Sequence, residues 1–229
     1  MTKTGMTRDQ VRKRILEIGI VPVIRAASSR DARLAVDAIC AGGIPIAELT
    51  MTVPGAIEVI SELAKTMGSA LLLGAGTVLD AKTAEKCIRA GAQFIVSPSF
   101  NRATVKAAHK AGKLVMAGAL TPTEVVEAWR SGSDFVKIFP CGPVGGPKYI
   151  QALKGPFPQI SMIPTGGVNL QTAGDFIKAG ADALGVGGEL VSQASIKSGN
   201  LHEITTAARQ YLEIVREARS RSQSVASAG

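Results

Sequence analysis

Lys137 is the residue whose setting most demands a chemical explanation. It stands inside Phe135-Val-Lys-Ile-Phe-Pro140, an apolar run with strand character. An ammonium buried there is costly unless it is paired or loses its charge. One reading is a lysine that plugs a core against an acid. The other is a desolvated amine that attacks a carbonyl carbon. Glu48, in Ile46-Ala-Glu-Leu-Thr50, divides the same way. It is a counter-ion for Lys137 or Arg25, or the proton shuttle that Schiff-base chemistry requires. One buried carboxylate can serve as both.

Polar residues close other apolar runs. Arg25 ends one, Thr77 follows Gly74-Ala-Gly76, and Ser97-Pro98-Ser99 ends another. Thr165-Gly166-Gly167 and Gly185-Val-Gly187-Gly188 end two more. Arg25 offers a planar fork matched to a carboxylate. Thr77 offers a hydroxyl, and Gly76 before it lets a ligand approach the backbone. The two glycine-rich turns present bare N–H groups of the kind that hold phosphate. Left-handed backbone geometry explains a glycine equally well.

These residues need a frame that gathers the ends of the runs. Short apolar runs recur at 20–25, 44–50, 71–77, 94–98, 114–120, 135–140, 161–166 and 183–187, their starts 20 to 27 residues apart. Each interval is about one βα unit. Eight of them argue for an α/β fold, a (β/α)8 TIM barrel with chemistry at the C-terminal strand ends. A period of two puts Val23 with Arg25, Ile46 with Glu48 and Thr50, and Leu73 with Ala75 and Thr77. If those faces point inward, the charged groups converge at the mouth.

Helix signals fall between the runs. A serine cap precedes Ser29–Ala41, Pro54 suits a first helical position, and Asp80 caps a stretch reaching Ala90. Thr121-Pro-Thr-Glu124 is a capping box, and Asn169 caps a helix ending near Gly180. Residues 7–18 form an extra N-terminal helix placed to close the barrel bottom, and residues 201–219 the last helix. One domain is expected over 1–219, with a disordered Ser/Ala-rich tail over 220–229. The alternative is a doubly wound open sheet. It needs Gly-x-Gly-x-x-Gly after the first strand, whereas Gly74-Ala-Gly76 follows the third and lacks the last glycine.

Composition narrows the partners. In 229 residues, 46% are apolar and 19% charged, which describes a globular chain. The net charge is +8, much of it from Lys3, Arg8, Arg12, Lys13 and Arg14 and from Arg209, Arg216, Arg219 and Arg221. At helical spacing these read as solvated helix faces. Aromatics are only 4%, too few for a stacking surface on nucleic acid. Cys40, Cys87 and Cys141 lack metal-ligand spacing and read as thiols in a reducing compartment. His109 and His202 fall on expected helices away from acidic clusters, so no metal site is expected. Residues 1–19 are polar and mixed in charge, and no apolar run matches a membrane span. A cytoplasmic protein without membrane partners is expected.

With these residues in place, the sequence resembles the bacterial 2-keto-3-deoxy-6-phosphogluconate (KDPG) aldolases, which also act on 4-hydroxy-2-oxoglutarate (KHG). The resemblance rests on Ala47-Glu-Leu-Thr-Met-Thr52, Gly74-Ala-Gly-Thr-Val78, Phe94-Ile-Val-Ser-Pro98, Phe135-Val-Lys-Ile-Phe-Pro140, Leu153-Lys-Gly-Pro-Phe157 and Pro164-Thr-Gly-Gly-Val168, in order over roughly residues 15–215. It implies a homotrimeric class I aldolase that uses neither metal nor cofactor and takes pyruvate and a keto-deoxy sugar acid. It implies that Lys137 forms the Schiff base and that Glu48 is the general acid and base. It implies a substrate-binding set of Arg25, Thr52, Thr77, Pro98, Thr165, Gly166, Gly167, Gly187 and Gly188, with Thr77 and Arg25 on the pyruvate carboxylate. Some members carry an arginine four residues after the glutamate, where this chain has Thr52; Arg25 resembles the replacement used in another branch. Many members carry a serine after the strand-eight glycine, where this chain reads Gly187-Gly188-Glu189.

Strand alternation puts Gly188 and Glu189 on opposite faces, so a Gly188 that lines the mouth turns Glu189 toward the helices. On that basis the 6-phosphorylated substrate is favoured, with tolerance for unphosphorylated keto-deoxy acids and KHG. Other readings are an aldolase preferring an unphosphorylated or galactonate-type acid, a phosphosugar isomerase or synthase on the same barrel, and a non-catalytic scaffold. The last two have no need of a lysine in the middle of strand six.

Overall fold

The apolar runs build a closed ring. The computed structural model describes residues 6–226, with side chains to residue 221. Its strands are β1 (Ile20–Ile24), β2 (Ile46–Thr50), β3 (Leu72–Gly76), β4 (Phe94–Val96), β5 (Leu114–Ala119), β6 (Phe135–Ile138), β7 (Met162–Pro164) and β8 (Leu184–Val186), each within an expected run. They are hydrogen-bonded in the order β7-β6-β5-β4-β3-β2-β1-β8. A parallel bridge between Thr165 and Gly185 joins β7 to β8 and completes the circle. This is the (β/α)8 barrel, and it excludes the open doubly wound sheet. Every strand residue is buried. Parallel strands covered on both faces read this way, as continuous apolar runs rather than alternating ones.

The helices are α1 (Arg8–Ile18), α2 (Ser29–Ala41), α3 (Ala56–Thr66), α4 (Ala81–Ala90), α5 (Arg102–Lys110), α6 (Pro122–Arg130), α7 (Pro147–Lys154), α8 (Ala173–Lys178), α9 (Gln193–Ser198) and α10 (Leu201–Ala226). The caps read from sequence are present on α2, α4 and α6, where the Thr121–Glu124 capping box is complete. Two starts differ from expectation. Pro54 lies in a turn before α3, which begins after Gly55 in a left-handed conformation (φ 66°). Asn169 heads a turn, accepting from the amides of Gln171 and Thr172, and α8 begins only at Ala173. The short α9, capped by Ser192, was not expected.

At the N-terminal end, α1 closes the barrel floor as expected. Val11 and Ile15 are buried. Arg12 donates to the Asp134 carbonyl and to Ser161 Oγ, and its guanidinium stacks 4.6 Å from the Phe135 ring centroid. Arg219 of α10 donates to the carbonyls of Glu17 and Asp182. The expectation of uniformly solvated basic faces is therefore corrected: Arg12 and Arg219 tie helices to strand starts. Lys3 lies outside the described residues. His109 lies on α5 with its Nε2 3.5 Å from Asp134 Oδ2. Cys87 and Cys141 are buried, and Cys40 is half-buried. The tail expected over 220–229 overlaps α10, which runs on to Ala226; residues 227–229 lie outside the described residues. Among the described residues, no helix is long and apolar enough to cross a membrane.

Candidate active site

The order of the ring puts β2 and β6 on opposite sides of the barrel. Glu48 projects inward from β2, where it pairs with Val23 and Gly74. Lys137 projects inward from β6, between Gly118 and Ile163. Their side chains meet across the interior, with Lys137 Nζ 3.5 Å from Glu48 Oε1 and side-chain exposures of only 5% and 3%. Gly76 makes the meeting possible. A Cβ at that position would lie 2.0 Å from Glu48 Oε1. The space expected to admit a ligand beside Gly76 is therefore filled by the glutamate itself.

Burial dominates the acidity of Glu48. Loss of water raises its pKa above the ordinary carboxylate value, while the charge and hydrogen bond of Lys137, and then the charge of Arg25, pull it partly back. The result is a carboxyl that holds its proton to higher pH than an exposed glutamate does, next to an amine. Phe139 adds a wall, its ring centroid 5.5 Å from Lys137 Nζ. Sequence reasoning passed over Phe139 as a site residue, although a period of two from Lys137 points to it.

The remaining residues surround this pair at the strand ends. Thr50 is buried and donates to the Ile24 carbonyl at 2.9 Å, and its hydroxyl lies 2.7 Å from that of Thr52. Thr52 thus stands exposed at the rim above β2. Thr77, just past β3, is the described non-glycine residue with a left-handed backbone, at φ 57°. That conformation is unusual for a β-branched side chain. Pro98 lies over β5: a Cβ on Gly118 would come within 2.2 Å of its carbonyl carbon. Gly118 is the residue paired with Lys137, so Pro98 is one strand from the amine.

A cavity of about 170 Å³ opens beside this centre. Arg25, Phe139, residues 165–168, Gly185 and residues 187–189 line it. It therefore joins Arg25 to Thr165, Gly166, Gly167, Gly187 and Gly188. The glycines divide into two kinds. Gly166 and Gly167 have φ of 84° and 80°, so backbone geometry accounts for them. Gly187 and Gly188 have neither a left-handed φ nor any neighbour within 4 Å of a notional Cβ. The fold does not require glycine there, and open space lies in front of both. One expectation fails at this point. Gly188 and Glu189 both line the cavity. Strand β8 ends at Val186 and the amides of Leu190 and Val191 turn back to the Gly187 carbonyl, so strand alternation no longer applies. Among the described residues, no three of His, Cys, Asp and Glu gather as ligands for a metal ion.

Known proteins resemble this chain over most of its length. Residues 11–207 match the family model described as KDPG and KHG aldolase. A 2-dehydro-3-deoxy-phosphogluconate aldolase of Treponema pallidum is 33% identical over 199 residues, covering 86% of this chain and 94% of that protein. The crystal structure of KDPG aldolase from Legionella pneumophila, with pyruvate captured at low pH as a covalent carbinolamine intermediate, is 30% identical; it superposes with a TM-score of 0.81 over 87% of this chain and 97% of that one. A cube-shaped protein cage designed by fusing symmetric oligomeric domains gives a TM-score of 0.83 at 27% identity, over 92% of this chain and 77% of that one. A buried lysine–glutamate pair under a glycine-rich mouth, on a barrel matched along most of its length, makes this chain a member of the KDPG/KHG aldolase family, a carbon–carbon lyase.

Proposed function

We propose that this chain cleaves 2-keto-3-deoxy-6-phosphogluconate, related 2-keto-3-deoxy acids and 4-hydroxy-2-oxoglutarate through a Schiff base on Lys137, releasing pyruvate and an aldehyde. The observation that carries the reading is the isolated Lys137–Glu48 contact, 3.5 Å long and closed to solvent. Lys137 Nζ adds to the C2 carbonyl of the substrate to give a carbinolamine, and loss of water leaves an iminium ion. Glu48 supplies and retrieves the protons of that exchange. As a carboxylate it then removes the C4 hydroxyl proton. The C3–C4 bond breaks, its electron pair flows into the iminium to form an enamine, and the aldehyde leaves. Glu48 returns a proton to C3, and water releases pyruvate and restores the amine. Burial raises the pKa of Glu48, the direction that suits a group that must both give and take protons.

Thr77 and Arg25 hold the pyruvate carboxylate in this reading, while Thr52 and Pro98 bound the reacting carbons. Thr165 and the amides of Gly166, Gly167, Gly187 and Gly188 receive the far end of the sugar acid. Support for the far-end assignment comes from the cavity those residues share with Arg25. We also propose a homotrimer as the working form and one folded domain through α10. The likeness to a cage assembled from symmetric oligomeric domains supports an oligomer, and a mass measured in solution tests it.

Pyruvate with borohydride tests the chemistry. One covalent adduct is expected, at Lys137. Lys137→Arg keeps a cation but cannot form the imine, so both the adduct and cleavage should disappear. An adduct at another lysine, or none from an enzyme that turns over, overturns the assignment.

A further inference from the structure

We infer that Glu189 is a specificity-determining residue that weighs against a phosphate, and in favour of a neutral hydroxylated group, at the far end of the substrate. The inference rests on the aldolase reading above and deepens it. The far-end cavity is small, about 170 Å³, and two of the residues lining it carry charge. Arg25 is the cation and Glu189 the anion. Among the described residues neither side chain has a hydrogen bond or an ion pair, and they are not paired with each other. Both charges therefore remain available to whatever enters.

A dianionic phosphate in this space meets one attractive and one repulsive charge. When the guanidinium of Arg25 is engaged by the pyruvate carboxylate, no other cation lines the cavity, and the carboxylate of Glu189 acts alone. A hydroxyl group meets no such penalty. It donates to Glu189 and accepts from the exposed amides of Gly187 and Gly188. Specificity here arises from an element set against one ligand as much as from contacts with the other.

The Tyr211 side chain on α10 is fully buried, and its hydroxyl has no hydrogen-bond partner among the described residues. Burial raises the pKa of that hydroxyl, and the charge of Glu189 adds to the rise. Glu189 itself lies in the exposed turn after β8, among the residues that line the cavity.

The test compares kcat/KM for 2-keto-3-deoxygluconate with and without its 6-phosphate in wild type, Glu189→Gln and Glu189→Lys. Glu189 is exposed, so both variants should fold. The ratio of phosphorylated to unphosphorylated substrate should rise about tenfold in Glu189→Gln and further in Glu189→Lys. A ratio that is unchanged or falls along this series overturns the inference while leaving the aldolase reading intact. A wild-type protein that cleaves neither substrate and takes up no pyruvate under borohydride overturns the aldolase reading, and this inference with it.

Discussion

The two ends of the barrel treat charge in opposite ways. At the floor the aspartates ahead of β6 and β8 are each paired with a cation and a backbone amide. Asp134, ahead of β6, accepts from Arg8 Nε at 2.7 Å and from the amide of Val115 at 2.9 Å. Asp182, ahead of β8, accepts from Lys154 Nζ at 3.0 Å and from the amide of Met162 at 2.9 Å. Each aspartate thus ties a turn to the neighbouring strand while neutralising a cation. At the mouth, the Glu48 carboxyl has Lys137 as its one hydrogen-bonding partner among the described residues, and the side chains of Arg25 and Glu189 have none. The floor uses charge to complete backbone hydrogen bonds. The mouth leaves charge for a substrate to complete, at a cost in stability that functional sites commonly carry.

The largest break in this contrast should come from Glu48→Gln. The amide fills the same space over Gly76 but cannot cycle protons, so kcat should fall about 10²-fold or more. The pH profile sharpens the point. Burial raises the Glu48 pKa, so the acidic limb of kcat in wild type should lie above the range of an exposed carboxylate. Activity falls as pH drops through that raised value, because the base becomes protonated. In Glu48→Gln the limb should vanish from what activity remains. Near-wild-type kcat in the variant would remove Glu48 from the proton path.

The floor should answer in the other currency. Asp134→Ala strands the Val115 amide and frees Arg8, removing a charge-assisted hydrogen bond and leaving a buried donor unsatisfied. A loss of about 2 kcal/mol of folding stability is expected, read as a shift in the urea midpoint at constant slope. Pyruvate trapping and kcat should hold. A drop in kcat with unchanged stability would mean that the two ends are coupled rather than separate.

How much of this was legible in sequence follows the same division. The strands were readable because parallel strands buried on both faces leave long apolar runs, and Lys137 broke such a run conspicuously. Period-two alternation brought Glu48 to the interior. What stayed hidden depends on contacts distant in sequence. Arg12 reads as a surface residue until Asp134, Ser161 and Phe135 fold over it. Gly76 reads as space for a ligand until Glu48 occupies that space from the next strand. Glu189 was assigned the wrong face because alternation holds only within a strand, and β8 ends three residues earlier, at Val186. Local pattern reveals which elements exist; it does not reveal where their ends turn.

The smallest expected effect lies at Thr77, where the mouth stores strain and the floor, with its ordinary backbone, does not. A β-branched residue at φ 57° costs about 1–2 kcal/mol. The flanking backbone imposes it: the Gly76 carbonyl accepts from Met51 at 2.8 Å, and the Val78 amide donates to Val96 at 3.1 Å. Pinned on both sides, Thr77 cannot relax into the β region without breaking one of these bonds. Glycine occupies the same conformation without clash but loses about 0.5–1 kcal/mol in unfolded-state entropy. The balance gives Thr77→Gly a stability equal to wild type or greater by about 1 kcal/mol. Losing the hydroxyl should at the same time weaken pyruvate by about tenfold or less, measured as the concentration that half-saturates borohydride trapping. A gain in stability with weaker pyruvate binding would mean the threonine is kept for its ligand against the preference of the chain. A loss of stability would instead show the side chain holding the rim together, and would place Thr77 with the residues of the floor.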